Sequence, residues 1–85
     1  MSELVIAGGP MHMQTFDLDY GADVVMIARQ DAVTPDQADA CPVRRYVRGV
    51  SGSVRVIVHP DATPEQLIEA CDRAWAHDLG RLDIV

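Results

Sequence analysis

The sequence predicts a small α+β domain, with a mostly antiparallel sheet of about five strands packed by one C-terminal helix over residues 64–79. Three observations carry this. The chain has 85 residues, room for one domain spanning 1–85. Short apolar or alternating runs are separated by Gly and Pro, the mark of strands and turns. One capped amphipathic stretch stands near the C-terminus. The composition is 48% hydrophobic, too much for a disordered chain. A chain of this size buries only about 60% of its extended surface, so its core is thin.

Glu3 to Ala7 is a short apolar run stopped by Gly8-Gly9-Pro10, and reads as a first strand. Phe16, Leu18 and Tyr20 alternate with Asp17 and Asp19, the pattern of a half-buried strand. Gly21-Ala22-Asp23 reads as a turn. Val24-Val25-Met26-Ile27-Ala28 is continuously apolar, which predicts a central strand buried on both faces. Residues 12–29 are therefore expected to form a hairpin. Gln30 to Pro42 is polar and lacks apolar spacing, with at most one helical turn from Thr34-Pro35. Val43–Val50 and Val54–His59 read as a second hairpin across Ser51-Gly52-Ser53.

The helix signal is the most specific. Thr63-Pro64-Glu65-Gln66 forms a capping box with Pro at the first helical position. Leu67, Cys71, Ala74 and Trp75 recur at helical spacing, widened by Ile68. Gly80 is the natural left-handed cap, and Leu82-Asp83-Ile84-Val85 alternates as a last strand. From residue 43 the order hairpin, helix, strand is β-grasp-like, an order shared by many small α+β sheets. The segments Asp31–Gln37 and Asp61–Gln66 echo each other and each precedes a cysteine. Only the second leads into helical periodicity, so the echo is a reused helix-start signal.

All seven basic residues are arginine, and lysine and asparagine are absent. This GC-rich codon usage points to a bacterium, or a phage, with a GC-rich genome. The N-terminus carries no basic, apolar leader. No run approaches the ~20 apolar residues of a membrane helix. A cytoplasmic protein without membrane contact is expected. Cys41 and Cys71 are then buried free thiols rather than a disulfide.

Charge is unevenly placed within the net −6. Residues 1–42 hold seven acids and one arginine, and residues 60–85 hold six acids and two arginines. Residues 43–59 hold four arginines and no acid. In Val43-Arg44-Arg45-Tyr46-Val47-Arg48, strand geometry sends Arg44, Tyr46 and Arg48 to one side. Two guanidiniums flanking a ring can seat carboxylates of a protein surface, or phosphates and a stacked base. These three residues, supported by Arg55, are the expected binding site. The plain alternative is a solvated sheet face paired with the chain's own Asp17 and Asp19.

Other candidates are weaker. Acidic mimicry of nucleic acid is thin at −6. Met11-His12-Met13 has soft ligand types, but adjacent strand residues cannot all face one ion. Cys71 and His77 are six apart and fall on different helix faces. A Cys–His pair would need folding to bring Cys41 to His12 or His59. Ser51 and Ser53 lie in a turn without a hydrolase motif. Gly8-Gly9-Pro10 lacks the Lys-Ser/Thr of a phosphate loop. The expectation is a regulatory or inhibitory binding module, without cofactor, metal or catalytic residues, that takes a protein partner. Rival readings are a nucleic-acid or phosphate binder, a small oligomeric enzyme or ligand-binding subunit with an interface cleft, and a phage inhibitor of a host factor. A thin core with an exposed edge strand also predicts a homodimer.

Overall fold

The fold is a computed structural model that describes residues 2–83 other than 20, 30, 32, 35 and 49–51. Its elements are β1 (Ser2–Ala7), β2 (Thr15–Leu18), β3 (Val24–Ala28), β4 (Ala38–Arg48), β5 (Gly52–Val58), α1 (Pro64–Ala76) and β6 (Arg81–Asp83). The strands run β2-β1-β5-β4-β3, with β6 also on β5. All pairs are antiparallel except β1 with β5. The predicted α+β class is therefore present, as a mixed, curled sheet packed by one C-terminal helix. No helix among the described residues is long and apolar enough to cross a membrane.

β1 and β5 are the buried centre. Leu4, Val5, Ile6 and Ala7 have no exposed surface, and neither do Val54, Val56 and Ile57. Alternation divides these side chains between two faces. Val5, Ala7, Val54 and Val56 meet Ala70, Cys71 and Ala74 of α1. The two helix alanines let the helix lie close to the sheet. Leu4, Ile6 and Ile57 turn the other way, to Leu18, Val25, Ile27 and Cys41. Cys41 and Cys71 are thus buried on opposite sides of the sheet, with no disulfide between them.

The second face is covered because β4 serves two partners. Its first half pairs β3, from Ala28↔Ala38 to Val24↔Pro42. Its second half pairs β5, from Val43↔Ile57 to Arg48↔Gly52. Val43 N–H donates to the Asp23 carbonyl, and Arg29 N–H to that of Gln37. Odd-numbered residues of β4 therefore bond toward β3, and even-numbered ones toward β5. Pro42 is the even residue at the handover. It lacks the N–H that would extend the β5 ladder one step, and β4 leaves β5 there.

Two expectations are corrected. The hairpin over residues 12–29 does not form: β2 pairs β1, while β3 pairs β4. β3 is also an edge strand rather than a central one, burying Val25 and Ile27 and exposing Val24 and Met26. Short apolar runs do not distinguish these cases. The polar stretch before Pro42 supplies the first half of β4. The helical turn expected from Thr34 falls partly on Pro35, outside the described residues. So do Tyr20, the Val50-Ser51 part of the hairpin link, and Ile84-Val85 of the last strand.

The helix begins as its sequence dictates, with Gln66 N–H donating to the Thr63 hydroxyl and Thr63 N–H to the Gln66 side chain. It ends earlier than expected, in a different cap. Leu79 N–H donates to the Ala74 carbonyl and Asp78 N–H to that of Trp75, the two bonds of a Schellman motif. The left-handed residue of the cap is Asp78, φ 58°; Gly80, φ 69°, is left-handed too but lies two residues beyond it. A side chain in that conformation costs about 1–2 kcal/mol, offset by about 0.5–1 kcal/mol of backbone entropy that glycine loses. Asp78→Gly should therefore stabilise the protein by about 0.5–1 kcal/mol, raising Tm by roughly 2–8 °C in a thermal melt. An unchanged or lower Tm would mean that Asp78 bears no strain.

Candidate functional site

Two constellations emerge: a polar cavity that the sequence did not announce, and the arginine-bearing hairpin that it did.

The cavity lies where β1 and β5 end and β4 begins. Its volume is about 510 Å³, lined by Gly9, Pro10, Arg29, Asp31, Asp39, His59 and Asp61. His59 is only 3% exposed. Its Nδ1 accepts the Asp61 backbone N–H at 3.0 Å, which leaves the proton on Nε2. Nε2 in turn donates to Asp39 Oδ2 at 3.1 Å. The other Asp39 oxygen takes Arg29 Nε at 3.2 Å. Both ring nitrogens are engaged, so His59 has no free lone pair for a general base. The cluster is a satisfied network that ties the end of β5 to the start of β4. Gly9 closes over it at φ 71°, and a Cβ there would overlap the His59 ring. Nearby, His12 Nδ1 accepts the Gly8 N–H at 2.8 Å, and its Nε2 sits 3.6 Å from Glu69 on the helix.

Cys41 joins no nucleophilic pair among the described residues. Its thiol contacts the Asp39 carbonyl oxygen at 3.5 Å. Burial first, then the Asp39 charge, pushes its pKa up, which keeps it a protonated, poor nucleophile. Among the described residues, no three His, Cys, Asp or Glu side chains are grouped to hold a metal ion.

On β4, Arg44 and Tyr46 stand opposite Val56 and Val54, hence on the helix side of the sheet. Tyr46 packs on that core. Burial, then Cys71, raises its pKa against a smaller opposing effect of Arg44. Arg44 is exposed beside it. Arg48 holds the next β4 position of the same parity, and its side chain is outside the described residues. Arg55 lies directly across from Arg45, on the other face. The structure therefore brings Arg44 and Tyr46 together and separates Arg55 from them. Arg44, Arg45 and Arg55 make no ion pair among the described residues. The sequence alternative of pairing with Asp17 meets an obstacle, since β1 and β5 lie between β2 and β4.

No protein-family model matches the chain, and no curated protein or solved structure matches it.

Two measurements check this geometry. Asp39→Ala strands the buried His59 Nε2–H and should cost about 1–3 kcal/mol. In a His59→Leu background the same change should cost far less, and equal costs in chemical denaturation would refute the network. Arg45→Thr removes a directly opposed like-charge pair and should gain about 0.2–1 kcal/mol, most clearly at low salt. A loss of stability would reveal an internal partner for Arg45.

Proposed function

We propose that this protein is a small binding module that acts on a macromolecular partner, seating an acidic protein surface on the β4–β5 hairpin through Arg44, Tyr46 and Arg48. The observation that carries this reading is that Arg44, exposed beside Tyr46 on the helix side of the sheet, makes no ion pair among the described residues. Guanidiniums left unpaired keep their bidentate geometry available to an external carboxylate. Tyr46 adds a half-buried anchor held by the core, a residue type favoured at interface centres. Its rigidity lowers the entropy lost on binding.

A protein surface fits better than nucleic acid because of charge placement. The hairpin is a short basic island in a chain of net −6. A long polyanion reaching past it meets the protein's own acids, whereas a compact acidic patch does not. On this reading the protein is regulatory or inhibitory, with a phage inhibitor of a host factor as one form of it. Its place of action is the cytoplasm.

The test is affinity capture from a GC-rich bacterial lysate, using wild type and Arg44→Ala/Arg48→Ala in parallel, with nuclease added to half of each. A defined protein held by wild type, insensitive to nuclease and lost with the double variant, is expected. Both proteins should melt at nearly the same temperature. Nuclease-sensitive capture would replace the reading with nucleic-acid binding, and a large fall in Tm would make the arginines structural.

A further inference from the structure

The outer edge of β3 is an unusual surface. It is the last strand of the sheet and, among the described residues, pairs with β4 alone. Edge strands are ordinarily protected by a charge, a proline, a bulge or a cover, because their free N–H and C=O groups recruit other strands. β3 has none of these within Val24-Val25-Met26-Ile27-Ala28. Its outward side chains are apolar, with Val24 49% and Met26 62% exposed. An apolar groove of about 360 Å³ runs along the same edge, between Met26 and Ala28 of β3 and Phe16 of β2.

The hydrogen-bond phase of the edge is fixed. Arg29 N–H bonds to Gln37 and the Asp23 carbonyl to Val43. Alternation then directs the odd residues of β3 toward β4. The N–H and C=O groups of Val24, Met26 and Ala28 face away from β4, and none bonds elsewhere among the described residues.

The flanks identify the occupant. Asp23 and Arg29 stand one position outside β3, three residues on either side of Met26. Suppose a second copy pairs antiparallel about a two-fold axis at Met26. Met26 then faces the partner's Met26, and Val24 faces the partner's Ala28, all in the bonding phase. Asp23 falls opposite the partner's Arg29, and Arg29 opposite the partner's Asp23. The strand is self-complementary in hydrogen bonds, apolar side chains and charge, as an isologous interface requires. Asp23 is exposed and makes no ion pair among the described residues. Arg29 uses Nε on Asp39, leaving its other donors for a second carboxylate.

We propose that the protein forms a symmetric dimer by antiparallel pairing of β3 with β3 of a second copy, locked at each end by Asp23 and the partner's Arg29. The sheet becomes continuous across the two-fold axis, and the outward Val24, Met26 and Ala28 cover one another.

The test uses the full chain. Native mass spectrometry and sedimentation, from low micromolar to near-millimolar concentration, should give twice the 9.3 kDa chain mass. Amide exchange should show Val24, Met26 and Ala28 gaining protection as concentration rises. Val25 and Ile27 should be protected throughout. Met26→Pro removes the central outward donor without touching the β4 ladder, and should give a folded monomer. Should that variant unfold, the charge exchange decides alone. Asp23→Lys and Arg29→Glu each oppose like charges at both ends and should each be monomeric. Mixed in equal amounts, they restore both opposite-charge pairs and should form a heterodimer. A wild-type monomer at every concentration would overturn the proposal, as would a dimer unaffected by these changes or exchange protection confined to another strand.

Discussion

Much of this structure depends on one missing hydrogen-bond donor. Pro42 lies where β4 changes partners, at a position whose N–H would have faced β5. Without it the β4–β5 ladder stops, and the first half of β4 is free to carry β3 over the second face of the sheet. That cover turns β1 and β5 into strands buried on both faces. It also brings Asp39, at the start of β4, to the buried ring of His59. On the covered face Val25 and Ile27 of β3 and Cys41 of β4 pack on Leu4, Ile6 and Ile57. Burying such side chains is worth about 1.5–3 kcal/mol each, a large sum for a chain whose total stability is about 5–10 kcal/mol.

How much of this was legible in the sequence follows from the range of each interaction. The helix start was fully legible because Thr63 and Gln66 satisfy each other's backbone within one turn. The β4–β5 hairpin was legible for a similar reason, as its strands are close in sequence. The pairing of β2 and β3 was not. Five apolar residues fit a central strand, an edge strand or an interface equally well, and only the partners decide. Ala38-Asp39-Ala40-Cys41 has almost no strand character of its own and is extended because β3 pairs with it. The His59 cluster was hidden for the same reason. Asp39 is separated from Arg29 by 10 residues and from His59 by 20, and no local pattern links them. The helix end was misread because Gly80 attracts the cap by type, whereas the Schellman bonds place Asp78 in the left-handed position.

Charge segregation depends on the same topology. Asp17 lies on β2, with β1 and β5 between it and β4. Three interstrand steps of about 4.8 Å separate the two strands, beyond the screening length of about 8 Å at physiological salt. The basic hairpin and the acidic β2 therefore act on their surroundings separately. A protein of net −6 can in this way present a locally attractive surface to an acidic partner. Arg45 and Arg55 add a second pair of positive charges on the opposite face of the same hairpin.

The edge of β3 obeys the same logic of position and charge, and its flanks discriminate among pairings as well as favouring one. Antiparallel registers that keep the outward backbone groups in phase differ by steps of two residues. Sliding the Met26-centred register one step toward the C-terminus sets Asp23 against the partner's Asp31, a like-charge contact. The opposite step sets Asp23 against the partner's Ile27 and gives up both ion pairs. A parallel arrangement brings Asp23 near the partner's Asp23 and Arg29 near the partner's Arg29. Slips of a single residue put the bonding groups out of phase and turn side chains to the wrong face. Only the register centred on Met26 satisfies backbone, apolar side chains and charge together. That selectivity separates a specific dimer strand from an unprotected edge, because open-ended strand addition requires an edge that accepts many registers. Two charged residues bracketing five apolar ones limit the association to one closed pair.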